Sequence, residues 1–199
     1  MKQAEAFLKE IGFSVLEDEK SSPPLLSNQI GGGRKFELRK QIESRAVYLL
    51  GIREHGAKEL KSKLLTKFPE TPELLAEYQE VSGFVSNVID DVLRHCQENN
   101  WQSDERYIEQ SVRNWAAKGS GPIKIRQKLQ QASSRDDLIC AYLDWDDSEW
   151  LELALDVLLK KYGNTHLPND RKEQAKRMRF LQSRGFASEV IWKAFRTNS

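Results

Sequence analysis

An all-α fold is predicted for this chain: three tandem three-helix repeats forming an elongated, curved body. Three observations carry the prediction. From residue 41 onward, apolar residues recur at helical spacing almost without interruption. Glycine, proline and serine break that pattern at intervals suited to short helices. An eleven-residue segment also recurs, since Gly83 to Leu93 aligns without gaps on Gly185 to Phe195 with five identities: the Gly-Phe lead-in, one serine and a Val-Ile pair. Ser133 to Leu143 fits the same frame more weakly, with Leu138-Ile139 on the Val-Ile pair. Units that cannot bury their apolar faces alone do so by stacking on neighbours.

The elements follow in order. Residues 1–16 predict a short amphipathic helix with Phe7, Leu8 and Ile11 on one face. Ser21, Ser22, Pro23 and Pro24, then Gly31, Gly32 and Gly33, read as a linker, so residues 1–40 form an extension. The first repeat, 41–100, has a helix through Val47, Leu50 and Ile52, a break at His55-Gly56, and a second helix through Leu60, Leu64 and Leu65. An acidic insertion at 69–82 follows, with Leu74, Leu75 and Tyr78 suited to a further short helix. The apolar stripe Val85, Val88, Ile89, Val92, Leu93 closes the repeat.

The second repeat, 101–144, opens at Ser103 as a cap, with Asp104 and Glu105 favourable at the positive end of the helix dipole. Tyr107, Ile108, Val112 and Trp115 mark its core face. Gly119 and Gly121 end that helix, and Pro122 suits the first position of the next. Ser133 and Ser134 precede its third helix. The third repeat, 145–199, starts at Ser148, passes a basic helix after Pro168-Asn169, and ends in a helix carrying Val190, Ile191 and Phe195.

Charge excludes one function class and segregates along the chain. With 31 basic and 30 acidic residues the net charge is +1, which is unlike a simple polycationic nucleic-acid binder. Residues 69–105 nevertheless hold nine acids against Arg94, and 144–156 hold six acids and no base. Residues 118–128 hold Lys118, Lys124, Arg126 and Lys128 without an acid, and 171–196 hold eight bases against Glu173 and Glu189. Separate positive and negative faces steer partners rather than set a fold.

No catalytic chemistry is legible. Gly31-Gly32-Gly33 lacks the strand before it and the lysine after it that a phosphate loop needs. His55, His95 and His166 are not spaced as a metal set and read as surface or helix-end residues. Asp146, Asp147 and Glu149 suit an acidic helix start; a divalent-cation site is the competing reading. No cofactor and no metal are expected, and no enzyme activity. Cys96 and Cys140 stand apart, as reduced thiols of the cytosol do, and no apolar run approaches membrane-spanning length, so a cytoplasmic protein without membrane contact is expected. The five tryptophans, Trp101, Trp115, Trp145, Trp150 and Trp192, suit core positions better than base-stacking platforms.

Two basic clusters suit recognition. Lys124, Arg126 and Lys128 flank the core positions Ile125 and Leu129 and can point outward, toward solvent or toward an acidic or phosphate partner. Lys172, Lys176 and Arg179, spaced four and three apart, share one helix face beside Arg177. That row is either a solvated face or a match for phosphate.

Three stretches resemble the RecX family in order and spacing. They are Arg45 to Leu64; Asp104-Glu105-Arg106-Tyr107-Ile108 followed by Lys118 to Leu129; and Lys160-Lys161-Tyr162-Gly163 followed by Phe180 to Phe186. The resemblance runs from about residue 41 to the end and leaves the first 40 residues outside it. It implies tandem three-helix repeats and a monomeric regulator that binds the RecA recombinase filament on single-stranded DNA and restrains it, in recombination, DNA repair and the SOS response. Contact with the strand inside the filament, with weak direct DNA binding, fits the same role. On this reading Lys118, Lys124, Arg126, Lys128, Lys172, Lys176, Arg177 and Arg179 contact the filament, and the acidic segments repel non-specific DNA. A direct helix-turn-helix DNA binder is the alternative, and a protein-interaction solenoid with an unrelated partner is a third.

Overall fold

The computed structural model describes residues 30–196, in two compact units that divide after Ser103. The described residues form ten α-helices and no strand. The expected helix at 1–16 lies outside the described residues.

The first unit holds α1 (Ile30–Ile52), α2 (Ala57–Lys67), α3 (Pro72–Tyr78) and α4 (Phe84–Glu98). Helix α1 corrects the sequence reading twice. It begins at Ile30, so Gly31, Gly32 and Gly33 are helical, not linker. Each glycine costs the helix about 1 kcal/mol relative to alanine, but the same helix buries Leu38, Ile42, Ala46 and Leu49 as one continuous stripe. Burial of a large aliphatic side chain contributes about 1.5–3 kcal/mol, so packing outweighs propensity. The predicted core face holds only in part, since Val47 is buried but Ile52 is exposed and Leu50 only half-buried.

Helix α4 packs on α1 and α2 through Val85, Ile89, Val92 and Cys96. Val88, aligned with Val190 in the recurring segment, is half-buried, whereas Val190 is buried. The two positions keep the same register but not the same depth. The acidic insertion is structural in part. Thr71 Oγ1 accepts from Leu74 N–H at 3.2 Å to start α3. Glu70 accepts from the backbone N–H groups of Gly83 at 2.8 Å and Val85 at 3.0 Å, so it caps α4 from outside the helix. Those two hydrogen bonds hold its carboxyl below the usual range. Glu77 and Glu80 pair with Arg34 and Lys35 of α1.

His55, read as a surface or helix-end residue, lies at the break between α1 and α2 but is buried there. Its Nδ1 lies 2.9 Å from the Arg53 carbonyl, which can only accept, so Nδ1 carries the proton. Burial lowers its pKa from the ordinary histidine value.

The second unit holds α5 (Asp104–Ala117), α6 (Pro122–Ala132), α7 (Asp136–Leu143), α8 (Asp147–Tyr162), α9 (Arg171–Arg184) and α10 (Ser188–Arg196). Helices α5, α6 and α7 pack on one another, as do α8, α9 and α10. Both sets share one core that includes Ile108, Ile125, Leu129, Ile139, Leu158, Leu181, Ile191 and Phe195. The acidic start of α8 is confirmed: Asp146 N–H donates to Glu149 Oε2 at 2.9 Å, and Asp147 pairs with Lys193. Among the described residues, no cluster of three His, Cys, Asp or Glu is arranged to hold a metal ion. Among the described residues, too, no helix is long and apolar enough to cross a membrane.

The two cysteines are free and unlike each other. Cys96 is buried and its thiol is pushed up to about 12, chiefly by burial, while Cys140 is exposed. Since the thiolate is the reactive form, a colorimetric disulfide reagent at pH 8 is expected to modify Cys140 quickly in the native protein. Cys96 should react only once denaturant is added. Equal rates at both sites would contradict the packing of α4.

Candidate functional site

The chain between α5 and α6 forms a joint with the end of α9. Gly119, at φ +74°, closes α5, with its N–H donating to Ala116 O at 2.7 Å. The next residues turn toward α9. Gly121 N–H donates to Arg184 O at 2.8 Å, and Ile123 N–H to Gly185 O at 3.1 Å. The first amides of a helix and the last carbonyls of another have no partners within their own helices. Here the α6 start and the α9 end satisfy each other. A Cβ on Gly121 would sit 2.5 Å from Gly185 O, and one on Gly185 would sit 2.4 Å from Lys124 Cβ. The glycines and Pro122 of the second predicted signature are therefore internal architecture.

This joint decides where the first basic cluster lies. Lys124 is half-buried and its Nζ donates to Ser183 O at 3.2 Å. Arg126 donates to Cys140 Sγ at 3.1 Å, and Lys128 Nζ stands 4.7 Å from the Trp115 ring centroid. Each of the three side chains is engaged with the fold. Lys118 is exposed at the end of α5.

On α9, Lys172, Lys176 and Arg179 are exposed. Lys176 pairs with Glu173 at 3.2 Å, and Arg179 Nε donates to the Ala175 carbonyl at 3.1 Å. Arg177 departs from the sequence reading. It is only 8% exposed, because it turns inward to stack on Tyr162 with its guanidinium carbon 4.6 Å from the ring centroid. There it donates to Asn164 Oδ1 at 2.7 Å and His166 O at 2.9 Å. It ties α9 to the loop before it and does not belong to the exposed row.

Lys124 therefore meets the C-terminal end of α9. Arg179 lies four residues before Ser183, about 6 Å along the axis at ~1.5 Å per residue. Of the first cluster only Lys124 meets that end; Arg126 turns to α7 and Lys128 to Trp115, and Lys172 lies at the far end of α9. The sequence reading left out three further cations: Lys160, Lys161 and Arg184 converge with Lys118 around a cavity of about 230 Å³. Their spacing in the chain carries no signal, because the joint brings them together. Trp192, expected in the core, is 50% exposed on α10.

Known proteins with the same pattern place the chain. Over 146 residues it is 33% identical to the regulatory protein RecX of Vibrio vulnificus, covering 73% of this chain and 85% of that one. Over 164 residues it is 34% identical to the regulatory protein RecX of Serratia proteamaculans, covering 77% of this chain and 95% of the relative. The chain belongs to the RecX family. A RecX family model, described as the third three-helix domain, matches residues 147–195, from the start of α8 into α10. The fold agrees with two crystal structures of RecX proteins. One aligns with a TM-score of 0.66 and 19% identity over 98% of this chain and 87% of the other. The second, RecX from Lactobacillus salivarius, aligns with a TM-score of 0.61 and 17% identity over 81% of this chain and 97% of its own. Both bacterial RecX relatives compared by sequence are named as regulators.

Proposed function

We propose that this RecX-family chain is a monomeric, cytoplasmic regulator that binds the RecA filament on single-stranded DNA and inhibits RecA. Its role lies in recombination, repair and the SOS response, and it carries out no catalytic step of its own. The observation that carries the reading is identity of 33% over 85% of a regulatory protein RecX. Residues 41–100, 101–144 and 145–199 serve as three three-helix units, the first extended back to Ile30 by α1 and holding α3 as an insertion. The contact set is Lys118, Lys124, Arg126, Lys128, Lys172, Lys176 and Arg179, while the inward-turned Arg177 supports the row from behind. Exposed cations on helix faces suit a polyanionic groove, and the strand within the filament offers one.

Direct helix-turn-helix DNA binding is the second reading. The net charge of +1 counts against it. A salt titration of DNA binding without RecA separates the two.

The test is charge reversal at Lys124, Arg126, Lys176 and Arg179 together, followed by RecA ATP turnover on single-stranded DNA. Inhibition should weaken at least about tenfold at low salt, and the defect should shrink as salt screens the contact. Lys176 and Arg179 are exposed, and such charges contribute about 0–1 kcal/mol each. Because Lys124 and Arg126 also bond to the fold, the melting temperature is measured and inhibition is compared where every variant is folded. Undiminished inhibition at low salt would assign RecA binding to another face.

A further inference from the structure

The cavity beside Phe180 shares only Lys118 with the contact set proposed above. It is lined by the ends of three helices: Ala117 of α5 with Lys118 and Gly119 after it, Asp156, Val157, Lys160 and Lys161 on α8, and Phe180 with Arg184 on α9. We propose that it is a binding site for a phosphate group.

Charge is the first argument. Lys118, Lys160, Lys161 and Arg184 line the cavity, and Asp156 is the acid that opposes them, paired with Lys160 at 2.6 Å. A plainer account has these cations simply balancing helix C-termini, each worth about half a negative charge. It falls short in amount. Four cations, less one carboxylate and about half a charge at each of three helix ends, leave an excess of roughly +1.5. A carboxylate ligand would neutralise part of that. A phosphate monoester, at about −1.5 to −2 near neutral pH, matches it.

Preorganisation is the second. Lys161 Nζ and Arg184 Cζ lie 5.7 Å and 5.3 Å from the Phe180 ring centroid, and Tyr162 holds that ring edge-on at 5.7 Å. Ring contacts restrain the two stems without neutralising their heads. Arg184 is anchored further by its hydrogen bond to Lys118 O at 3.2 Å, which draws α5 and α9 together. Size is the third. A volume of about 230 Å³ falls below the roughly 300 Å³ at which whole small-molecule pockets begin. It admits a phosphate with an adjoining sugar, not a complete nucleotide. The group can come from a free or terminal phosphate or from the backbone of a single strand.

The experiment uses the full chain without RecA, so its outcome does not depend on the filament reading. Inorganic pyrophosphate is titrated by amide chemical shifts at Ala117 to Gly119 and Lys160 to Lys161. A dye-labelled oligothymidylate lacking a 5′-phosphate is titrated in parallel by anisotropy. The variant is Lys118→Gln with Lys161→Gln, since Arg184 also serves the fold; its melting temperature is measured alongside. Loss of two charge-assisted contacts should weaken binding about tenfold or more. Weakening of both probes assigns the site to any phosphate, of pyrophosphate alone to free or terminal phosphate, and of the oligonucleotide alone to strand phosphates. Unchanged binding of both probes overturns the proposal. So does displacement of bound pyrophosphate by oligoglutamate at equal charge concentration, which would mark an unselective cationic patch.

Discussion

Gly185→Ala is expected to destabilise the second unit by about 3 kcal/mol or more, while Gly83→Ala costs the first unit about 1 kcal/mol. The two glycines are equivalent in sequence, each leading a Gly-Phe pair into the recurring segment. They also share a backbone conformation, at φ +94° for Gly83 and φ +90° for Gly185. A side chain at either position therefore suffers the same left-handed strain, about 1 kcal/mol. Their surroundings differ. A Cβ on Gly83 meets nothing within 4 Å, whereas one on Gly185 lies 2.4 Å from Lys124 Cβ and 2.5 Å from Lys124 N. Neither contact is the free end of a flexible side chain, so α6 must move away from α9. Overpacking of this kind costs about 1–3 kcal/mol. The Ile123 N–H to Gly185 O bond would be lost with it, at about 1 kcal/mol. Gly121→Ala tests the same joint from the other side without the strain, since Gly121 sits at φ −83°. Its Cβ would meet Gly185 O at 2.5 Å and Phe186 N at 2.7 Å. Urea unfolding followed by tryptophan fluorescence measures all three, and equal losses for Gly83→Ala and Gly185→Ala would refute the joint.

The second large effect is expected from Arg177→Ala, at about 3 kcal/mol. The change removes two hydrogen bonds from a charged donor, to Asn164 Oδ1 and His166 O, each worth about 1.5–3 kcal/mol. It also removes the stack on Tyr162, worth about 0.5–2 kcal/mol. Collapse of the loop before α9 onto the vacated space recovers part of the loss. Arg179→Ala, two residues on and exposed, should stay within about 0.5 kcal/mol. The pair also separates roles. Arg179→Ala should weaken RecA inhibition at unchanged stability, and Arg177→Ala should do so only in proportion to unfolding. If Arg177→Ala unfolds at the parent's urea midpoint, the inward placement is wrong.

Much of the fold was legible in the sequence because it rests on local physics. Breakers and caps mark helix ends whatever the helix packs on. Gly119 and Gly185 both appear at φ > 0 just past α5 and α9, and Pro122 stands first in α6. The repeat was legible because an amphipathic stripe led by Gly-Phe must bury the same face each time. Where local signals met tertiary packing, packing won. Gly31 to Gly33 read as a break, yet the stripe Leu38, Ile42, Ala46 and Leu49 carries the helix through them. Trp192 read as core, yet the α10 interior is already filled by Val190, Ile191, Ala194 and Phe195.

The candidate site divides along the same line. The sequence by itself determined which residues carry charge, their order on α6 and α9, and the family to which they belong. It could not tell Arg177 from Arg179, two neighbours of one type on one helix. Direction depends on the Tyr162 ring and the Asn164 and His166 oxygens, which only the folded loop supplies. Nor could it place Lys118, Lys160, Lys161 and Arg184 around one cavity. Their convergence follows from the backbone hydrogen bonds between Gly121 and Arg184 and between Ile123 and Gly185. Those bonds join helix ends more than sixty residues apart in the sequence. A helix end states that it needs a partner, and only tertiary structure says which one it finds.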